Sequence, residues 1–484
     1  MEARVQPSRP STMTPGRMPR PAYLWVTILA AALVVAGCAH YPVNQPITKP
    51  DPDSGYRAPL MGTPGNSEHV LLYLTFSGGG TRAAAFAYGV LEELRNAEVT
   101  FDGKNRRLLE EVDVISSVSG GSFTAGYYGL FGERIFEDFE TKFLKKNIQG
   151  ALLTRIIFNP YNWLRLLSPA FDRSDIAAEY YDKKIFDHGT FQDMAARKGP
   201  MININATDMV TGIRLGFTQE AFDIICSDLS TFPVARAAAA SSAVPILLTP
   251  VSLRNYAGSC GYTLPQGLEK VLQEQDTTSR QFHLVNDMRP YLDADKRKYI
   301  HLVDGGVSDN LGLRMVLDRV TALGSAWNTL KWGGLVHTHK IAFIVVNAET
   351  AVSDSYSSWP NPPAIAGMLQ SYSSIAITRY NYETIMLLRE NFQRWMEEVQ
   401  KGRCGEGPLS TEPGACGDIK FYLIEVKFAA LKDPAERRHF MELPTSFQLP
   451  AEEVDKLREA ARRILTQSGE YQQFLRDLQN DSGQ

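Results

Sequence analysis

The amino-acid sequence predicts an α/β fold: a largely parallel central sheet with helices on both faces and further helices toward the C-terminus. Two observations support this. Short runs of β-branched and aromatic residues alternate with segments of helical spacing, and 484 residues are enough to bury a large core. The composition, 44% hydrophobic and 21% charged, is that of a globular protein. The formal net charge is −4 and no basic cluster follows residue 40, which argues against a nucleic-acid partner.

The individual elements follow from hydrophobic patterning. Buried strands are expected at 69–76, 112–118, 201–208, 299–306, 340–349 and 419–428, where apolar runs are bounded by turn-forming residues. Helices are expected at 83–96, 120–130, 233–245, 362–400 and 451–482, and 134–200 is mostly of helical spacing. Because parallel strands need long crossover connections, this alternation favours a sheet covered by helices.

The N-terminus resembles a bacterial lipoprotein signal peptide. Four arginines precede a short apolar run that ends in Val35-Ala36-Gly37-Cys38, a pattern similar to the lipobox of that class. The resemblance implies cleavage before Cys38 and acyl chains on its sulfur and amino group, which would anchor the protein to a membrane. Ala39, in place of Asp, favours the outer membrane on its periplasmic side. The alternative is an uncleaved anchor helix.

Composition shifts along the chain suggest four parts. Residues 1–37 are the expected signal peptide, and residues 38–66, rich in Pro, Gly and Asp, are the expected membrane tether. Residues 67–430 contain the strand-and-helix alternation and form the expected catalytic domain. Residues 431–484 are expected to be a helical extension.

Four cysteines follow Cys38 in the sequence. Cys404 and Cys416 flank a loop rich in Gly and Pro, so we expect them to form a disulfide in an oxidising periplasm. Cys226 and Cys260 form a second candidate pair, and buried thiols are the alternative for both pairs. No cysteine spacing resembles a zinc site, and we expect neither a metal nor a cofactor.

The tightest strand-to-helix turn in the sequence centres on Ser119. A β-branched strand ends just before it, and Gly120 and Gly121 open the next helix. The pattern departs from the nucleophile elbow G-x-S-x-G because Ser117 replaces its first glycine, but serine is small enough for such a turn. A serine in this position suits a nucleophile beside a helix N-terminus, and equally suits an ordinary helix cap.

A glycine triplet follows the first predicted strand. Backbone N–H groups of Gly78, Gly79 and Gly80 would face outward, where such donors can stabilise the oxyanion of a tetrahedral intermediate. Arg82 lies two residues further, where it would steady the loop or meet an anionic head group. The alternative is a strand-to-helix turn with no catalytic role.

A third polar turn ends the strand predicted at 299–306. Asp304 precedes Gly305 and Gly306, so its carboxylate would be held between a buried strand and a tight turn. A serine hydroxyl is a weak nucleophile without a base in reach, and a partly desolvated aspartate has its pKa raised toward a useful value. The alternative is an aspartate that binds only local backbone N–H groups.

The three turns, in this order, closely resemble those of the patatin-like phospholipases. The matching motifs are GGGxR, SxSGG and DGGVSDN, and segments 202–217 and 235–251 are similar to two further family motifs. The likeness covers roughly residues 69–350. It implies a lipid acyl hydrolase, a phospholipase A or lipase, with Ser119 as nucleophile, Asp304 as base, a glycine-rich oxyanion loop and an acyl-enzyme. Ser77 stands where the family often has Asp.

Three other functions remain open from the sequence. A Ser-His-Asp triad would draw its base from His337, His339 or His439. A dinucleotide-binding module would use the GGGTRA loop, with Asp102 about 20 residues on. An acyltransferase would share the acyl-enzyme and differ only in the acceptor that reaches it.

The expected partners are a lipid or phospholipid substrate and, through lipidated Cys38, a membrane; protein partners are not predictable. Residues 151–171 are apolar and aromatic with two interleaved arginines. We expect this stretch to be buried core, and a lid or lipid-facing helix pair is the alternative.

Overall fold

A computed structural model describes residues 44–244, 247–350, 360, 365–405 and 419–480. Its main sheet has strands β1 (Val70–Phe76), β2 (Val112–Val118), β3 (Met201–Asp208), β4 (Arg214–Gly216), β5 (Val251–Arg254), β6 (Tyr299–Asp304), β7 (Lys340–Asn347) and β8 (Lys420–Lys427). Their order is β8-β7-β1-β2-β3-β6-β5, and β4 pairs with β3. The pairs from β8 to β3 are parallel, which confirms the predicted largely parallel α/β fold.

Eighteen α-helices accompany the sheet in the described part of the chain. The first nine are α1 (Gly80–Asn96), α2 (Gly120–Phe131), α3 (Ile135–Phe139), α4 (Ile148–Ile157), α5 (Pro160–Leu166), α6 (Arg173–Lys184), α7 (Phe191–Arg197), α8 (Gln219–Ile224) and α9 (Val234–Ser241). The others are α10 (Gln266–Glu274), α11 (Arg280–Met288), α12 (Gly306–Asp309), α13 (Arg314–Leu323), α14 (Ala326–Trp332), α15 (Ile365–Gly405), α16 (Pro434–Glu442), α17 (Ala451–Gln467) and α18 (Gly469–Asn480).

Both faces of the sheet are covered by helices. Every residue of β1 is buried, as expected for a central parallel strand, and successive side chains enter two different apolar clusters. Leu72 and Leu74 belong to the larger cluster, which includes side chains of α1, α2, α9 and α17. Leu71 and Tyr73 belong to the second cluster, which includes side chains of α13, α14 and α15.

Strand β6 runs against β3, which the sequence did not indicate. Leu302 pairs with Asp208 and Asp304 with Ala206, so the first residues of β6 extend beyond the carboxyl end of β3. These overhanging residues pair with β5, where Tyr299 lies opposite Arg254. Strand β6 therefore begins beyond the carboxyl end of β3 and runs back along it. Its last residue, Asp304, lies next to Ala206, at the level where β2 ends.

The C-terminal helices form a layer of the main body. Helix α17 lies along α1, and Gly89 of α1 faces the backbone of Arg458, where a Cβ would lie 2.4 Å from the carbonyl oxygen. The predicted helix 451–482 is two helices that part at Ser468, which has extended backbone angles. The described part of the predicted extension, residues 431–480, therefore packs on the main body as part of it.

Parts of the predicted tether also pack on the body. Gln45–Pro46 pairs with Ser227–Asp228, and Arg57 forms a buried ion pair with Asp223 at 2.7 Å. Tyr56 is almost fully buried. The prediction of a membrane tether over 38–66 is therefore wrong at residues 44–47, 56 and 57, which have partners on the domain.

Two sequence predictions concern membrane contact. The apolar run that ends at Cys38 lies outside the described residues, and no helix within them combines the length and apolarity needed to cross a bilayer. The stretch 151–171 forms α4 and α5. Seven of its large apolar side chains are exposed, so the expectation that it is buried core is wrong for most of its length.

The structure contains a disulfide between Cys226 and Cys260, which confirms that candidate pair. Cys404 is also disulfide-bonded. Cys416, its predicted partner, lies outside the described residues.

Candidate active site

Ser119 and Asp304 meet at the carboxyl end of the parallel strands. The Ser119 hydroxyl donates a hydrogen bond to Oδ2 of Asp304 at 2.8 Å, although 185 positions separate the two residues. Ser119 is 4% exposed and Asp304 is 9% exposed. The two side chains that the sequence singled out as nucleophile and base are therefore in direct contact, near the surface but largely shielded from water.

The turn at Ser119 has the geometry of an elbow. Ser119 has φ 49° and ψ −119°, and it precedes α2 without its side chain capping that helix. The helix-cap alternative is thus not supported, because the hydroxyl points to Asp304. Gly120 is needed for close packing, since a Cβ there would lie 2.0 Å from the carbonyl oxygen of Gly80. The turn of the serine and the glycine loop therefore touch.

Asp304 is held by its own turn. Its Oδ1 accepts a hydrogen bond from the backbone N–H of Gly306 at 2.8 Å. Gly305 passes over the end of β3, where a Cβ would lie 2.3 Å from the carbonyl oxygen of Asn205. Burial raises the pKa of Asp304 to about 6, and the hydrogen bonds from Gly306 and Ser119 moderate that rise. No cation forms an ion pair with this carboxylate among the described residues.

The glycine loop presents fewer free donors than the sequence suggested. The N–H of Gly78 donates to the backbone oxygen of Asn310 at 3.1 Å, so the prediction of an oxyanion donor at Gly78 is not supported. Among the described residues, the N–H groups of Gly79, Gly80 and Gly120 have no protein acceptor. Helices α1 and α2 both begin at this point, and their N-termini favour negative charge there.

Arg82 does not face the site. It is 2% exposed, and its guanidinium donates to the backbone oxygens of Ala348 and Leu443 and to the hydroxyl of Thr445. Burial without a carboxylate partner lowers the pKa of Arg82 to about 10. Of the two roles expected for this residue, steadying the loop agrees with the contacts and meeting a head group does not.

Sequence reasoning missed Ser241 as a site residue. Its hydroxyl accepts the backbone N–H of Ser119 at 2.8 Å, donates to the carbonyl of Asn205 at 2.6 Å and lies 3.0 Å from the hydroxyl of Ser122. Its own carbonyl accepts the N–H of Gly305 at 3.1 Å. Ser241 lies within segment 235–251, whose similarity to a family motif was the available signal.

Ser117 lies beneath the turn. Its side chain is fully buried and donates to the carbonyl of Asn203 at 3.2 Å, which a glycine in this position could not do. Gly121 packs against Phe76, where a Cβ would lie 2.7 Å from the side chain. Both residues therefore shape the elbow and have no contact with Asp304.

None of the histidines considered as a base lies at this site. His337 and His339 precede Lys340, the first residue of β7, so they stand at the opposite end of the sheet, about 23 Å away along the strand. His439 pairs with Glu453 at 2.6 Å. No histidine in the described ranges forms a hydrogen bond with Ser119 or Asp304.

The dinucleotide-binding alternative also fails on geometry. Asp102 bonds to the side chains of Ser67 and His69, and His69 immediately precedes β1. The glycine loop follows β1, so the carboxylate and the loop are at opposite ends of this strand. A ribose-binding carboxylate would have to lie near the loop.

Comparison with known proteins gives one family match. The model for patatin-like phospholipases matches residues 74–317, about half of the chain. No curated protein sequence matches. Among solved structures, human GIVD cytosolic phospholipase A2 aligns with a TM-score of 0.44 and 13% identity, over 86% of this chain and 63% of that one. The family match includes every residue of the site described above, and the chain belongs to the patatin-like phospholipase family of lipid-hydrolysing enzymes.

Proposed function

We propose that this protein is a serine carboxylic-ester hydrolase that removes an acyl chain from a phospholipid or related lipid. The observation that carries the proposal is the 2.8 Å hydrogen bond from the Ser119 hydroxyl to Asp304 at a strained strand-to-helix turn. A hydroxyl whose proton already points at a carboxylate needs no third residue to begin the reaction. Family membership supports the lipid as substrate class.

The reaction proceeds through an acyl-enzyme. Asp304 accepts the hydroxyl proton as Oγ of Ser119 attacks the ester carbonyl carbon, and the carbonyl oxygen becomes an oxyanion. The N–H groups of Gly79, Gly80 and Gly120 are the donors proposed for that oxyanion, since no protein group among the described residues occupies them. The intermediate collapses as the alcohol leaves with the proton from Asp304.

A second half-reaction restores the enzyme. Water gives a proton to Asp304 and attacks the acyl carbon, a second oxyanion forms in the same place, and the fatty acid leaves as Oγ of Ser119 recovers its proton. One carboxylate therefore serves as base and acid in both halves. A pKa near 6 suits this double role, because the group is ionised at neutral pH yet accepts a proton readily.

Labelling with a fluorophosphonate probe tests the assignment. Wild-type protein should react covalently, and Ser119→Ala should not. Asp304→Asn should label at least about 100-fold more slowly, because the hydroxyl loses its base. His439→Gln is the matched control and should label at the wild-type rate. Unchanged labelling of Asp304→Asn would contradict the dyad.

We also propose that the chain is a lipoprotein of the bacterial envelope, anchored at Cys38 after removal of residues 1–37 and facing the periplasm from the outer membrane. The Cys226–Cys260 disulfide supports an oxidising compartment. Metabolic labelling with palmitate should mark the wild-type chain and not the Cys38→Ser variant. Equal labelling of both would rule out this anchoring site.

A further inference from the structure

Helices α4 and α5 expose an unusual amount of apolar surface. We call residues 148–171 the apolar helix pair. Phe158 is 74% exposed, Leu167 is 77% exposed and Trp163 is 52% exposed. The exposed large apolar side chains are Leu153, Ile157, Phe158, Tyr161, Trp163, Leu164 and Leu167, and the last six lie within eleven positions. Single exposed apolar residues are common on proteins, but such a run within eleven positions marks an interaction surface.

The apolar helix pair is a formed structure that holds these side chains outward. Asn147 and Asn159 cap the two helices through hydrogen bonds to Gly150 and Tyr161. The indole N–H of Trp163 donates to the carbonyl of Ile156 at 3.0 Å, so the polar atom of this ring is satisfied within the pair. The ring itself remains exposed and can enter an apolar medium without loss of a hydrogen bond.

The charge around the pair favours an anionic partner. Residues 145–171 contain four basic side chains and no acidic one. Arg165 pairs with Glu179 and Lys145 with Asp455, whereas Lys146 and Arg155 form no ion pair with any described residue. Aromatic and aliphatic side chains bordered by cations are typical of segments that lie in the interface of a bilayer with acidic lipids.

The pair lies at the same end of the molecule as the candidate active site. The N–H groups of Ile148 and Gln149, at its base, donate to the carbonyl of Phe447. The neighbouring carbonyl of Ser446 accepts the N–H of Thr81, the residue after the glycine loop. Two adjacent peptide groups therefore connect the base of the pair to the loop beside Ser119.

Asn44, the first described residue, also lies at the end of the molecule that carries the candidate active site. Asn44 bonds to the backbone of Arg254, which pairs with Tyr299 beyond the carboxyl end of β3. Cys38 lies six residues before Asn44 in the sequence. Six residues of fully extended chain reach roughly 20 Å. An anchor at Cys38 would hold this end of the body close to a bilayer.

We propose that the apolar helix pair docks into the surface of a phospholipid bilayer and so presents the active-site end of the protein to it. Phe158, Trp163 and Leu167 enter the acyl region, and Lys146 and Arg155 remain among the head groups. The proposal goes beyond the hydrolysis proposed above and rests on it only for the identity of the substrate.

Tryptophan quenching tests the docking directly. The full chain is mixed with vesicles of phosphatidylethanolamine and phosphatidylglycerol that carry bromine on their acyl chains, and its fluorescence is compared with that on unbrominated vesicles. Wild-type protein should show a quenched component that Trp163→Phe lacks, since phenylalanine preserves docking but removes the reporter. An equal quenched component in both proteins would overturn the proposal.

Hydrolysis gives an independent measurement. Phe158→Asp combined with Leu167→Asp should lower the ratio of vesicle-phospholipid hydrolysis to soluble short-chain ester hydrolysis at least about tenfold, because charged side chains oppose insertion. Tyr382→Asp, at a 62% exposed site on α15, is the matched control and should leave the ratio unchanged. An unchanged ratio in the double variant would overturn the docking.

Two further outcomes separate the explanations. If wild-type protein hydrolyses neither substrate, the proposed function fails, while the Trp163 quenching still decides the docking. If the wild-type chain self-associates in sedimentation and the double variant does not, and Trp163 is not quenched, the surface is a contact between copies of this chain and the bilayer proposal is overturned.

Discussion

Ser119 has a backbone conformation that few serines adopt. Its φ of 49° lies in the region that favours glycine, and such a residue costs roughly 1–3 kcal/mol relative to a relaxed one. Surrounding contacts maintain it: the N–H bonds to Ser241 and the hydroxyl bonds to Asp304. The strain turns the hydroxyl away from its own helix and toward the carboxylate, which is the arrangement a nucleophile needs.

The protonation of Asp304 should set the acid limb of activity. The carboxylate must be ionised to accept the Ser119 proton, and burial raises its pKa to about 6. We expect kcat/KM for a neutral soluble ester to rise about tenfold per pH unit below the pKa of Asp304 and to level off above it. A pH–rate profile measures this, and His439→Gln should leave the inflection in place. An inflection near pH 4 would mean that the catalytic carboxylate is not buried.

The same pKa makes Asp304 a destabilising residue at neutral pH. Between its unfolded value near 3.8 and about 6, the folded protein binds more protons than the unfolded chain, so the free energy of unfolding falls as pH rises through this window. Asp304→Asn removes the buried charge. Its free energy of unfolding should exceed that of wild type by about 1–3 kcal/mol at pH 8 and by little at pH 4. Denaturant unfolding at both pH values would test this, and a variant less stable than wild type at pH 8 would contradict it.

At the scale of elements, the site depends on the C-terminal end of α9. Ser241, the last residue of that helix, links the serine turn to β3 through its hydroxyl and the aspartate turn to α9 through its carbonyl. Three chain segments far apart in sequence are thereby held in one arrangement before any substrate binds. This is the kind of support that fixes a catalytic geometry within a fraction of an ångström.

Removal of the Ser241 hydroxyl should affect both stability and turnover. Ser241→Ala leaves the buried N–H of Ser119 and carbonyl of Asn205 without this partner, which should lower the free energy of unfolding by about 1–3 kcal/mol. The serine turn relaxes, and kcat should fall by roughly 10- to 100-fold.

Ser242→Ala is the control for this change. Ser242 is equally buried, but its hydroxyl donates to the carbonyl of Ala238 within the same helix and, among the described residues, forms no hydrogen bond with the serine turn or the aspartate turn. Its kcat should stay near that of wild type. If the two variants have the same kcat, Ser241 does not position the nucleophile.

At the scale of the whole molecule, the C-terminal helices complete one face of the sheet. Arg458 of α17 forms ion pairs with Glu92 of α1 at 2.6 Å and with Glu140 at 2.8 Å. The small residues of α1 permit this close approach. The segment just before α17 supplies the carbonyls that bind Arg82 and Thr81. The end of the chain therefore stabilises the glycine loop near its beginning.

A pair of glycine substitutions measures this packing. In Gly89→Ala the new Cβ would lie 2.4 Å from the Arg458 carbonyl oxygen, so α1 and α17 must separate, and the free energy of unfolding should fall by about 1–3 kcal/mol. Gly267→Ala places a methyl group in open space on α10 and should raise it by up to about 1 kcal/mol. Thermal or denaturant unfolding compares the two, and equal effects would show that α17 does not pack closely on α1.

The local sequence patterns predicted much of this protein correctly. Strands such as Val112–Val118 and Met201–Asp208 match their predicted ranges, because β-branched residues that alternate with polar ones and are bounded by turn residues mark a strand in the local sequence. Ser119 and Asp304 were identifiable for a similar reason: each ends a strand and precedes two glycines. These signals involve residues close together in the chain.

Tertiary structure decided the features that depend on distant partners. The direction of β6, the engagement of the Gly78 N–H by Asn310, the burial of Arg82 beneath Leu443 and the exposure of the apolar helix pair have no local signature. Hydrophobic residues at helical spacing indicate that a helix has an apolar face, and they do not show whether another part of the chain covers it. Sequence alone thus determined which groups are candidates for the chemistry, whereas contacts between residues 122 to 361 positions apart decided which of their atoms are free for it.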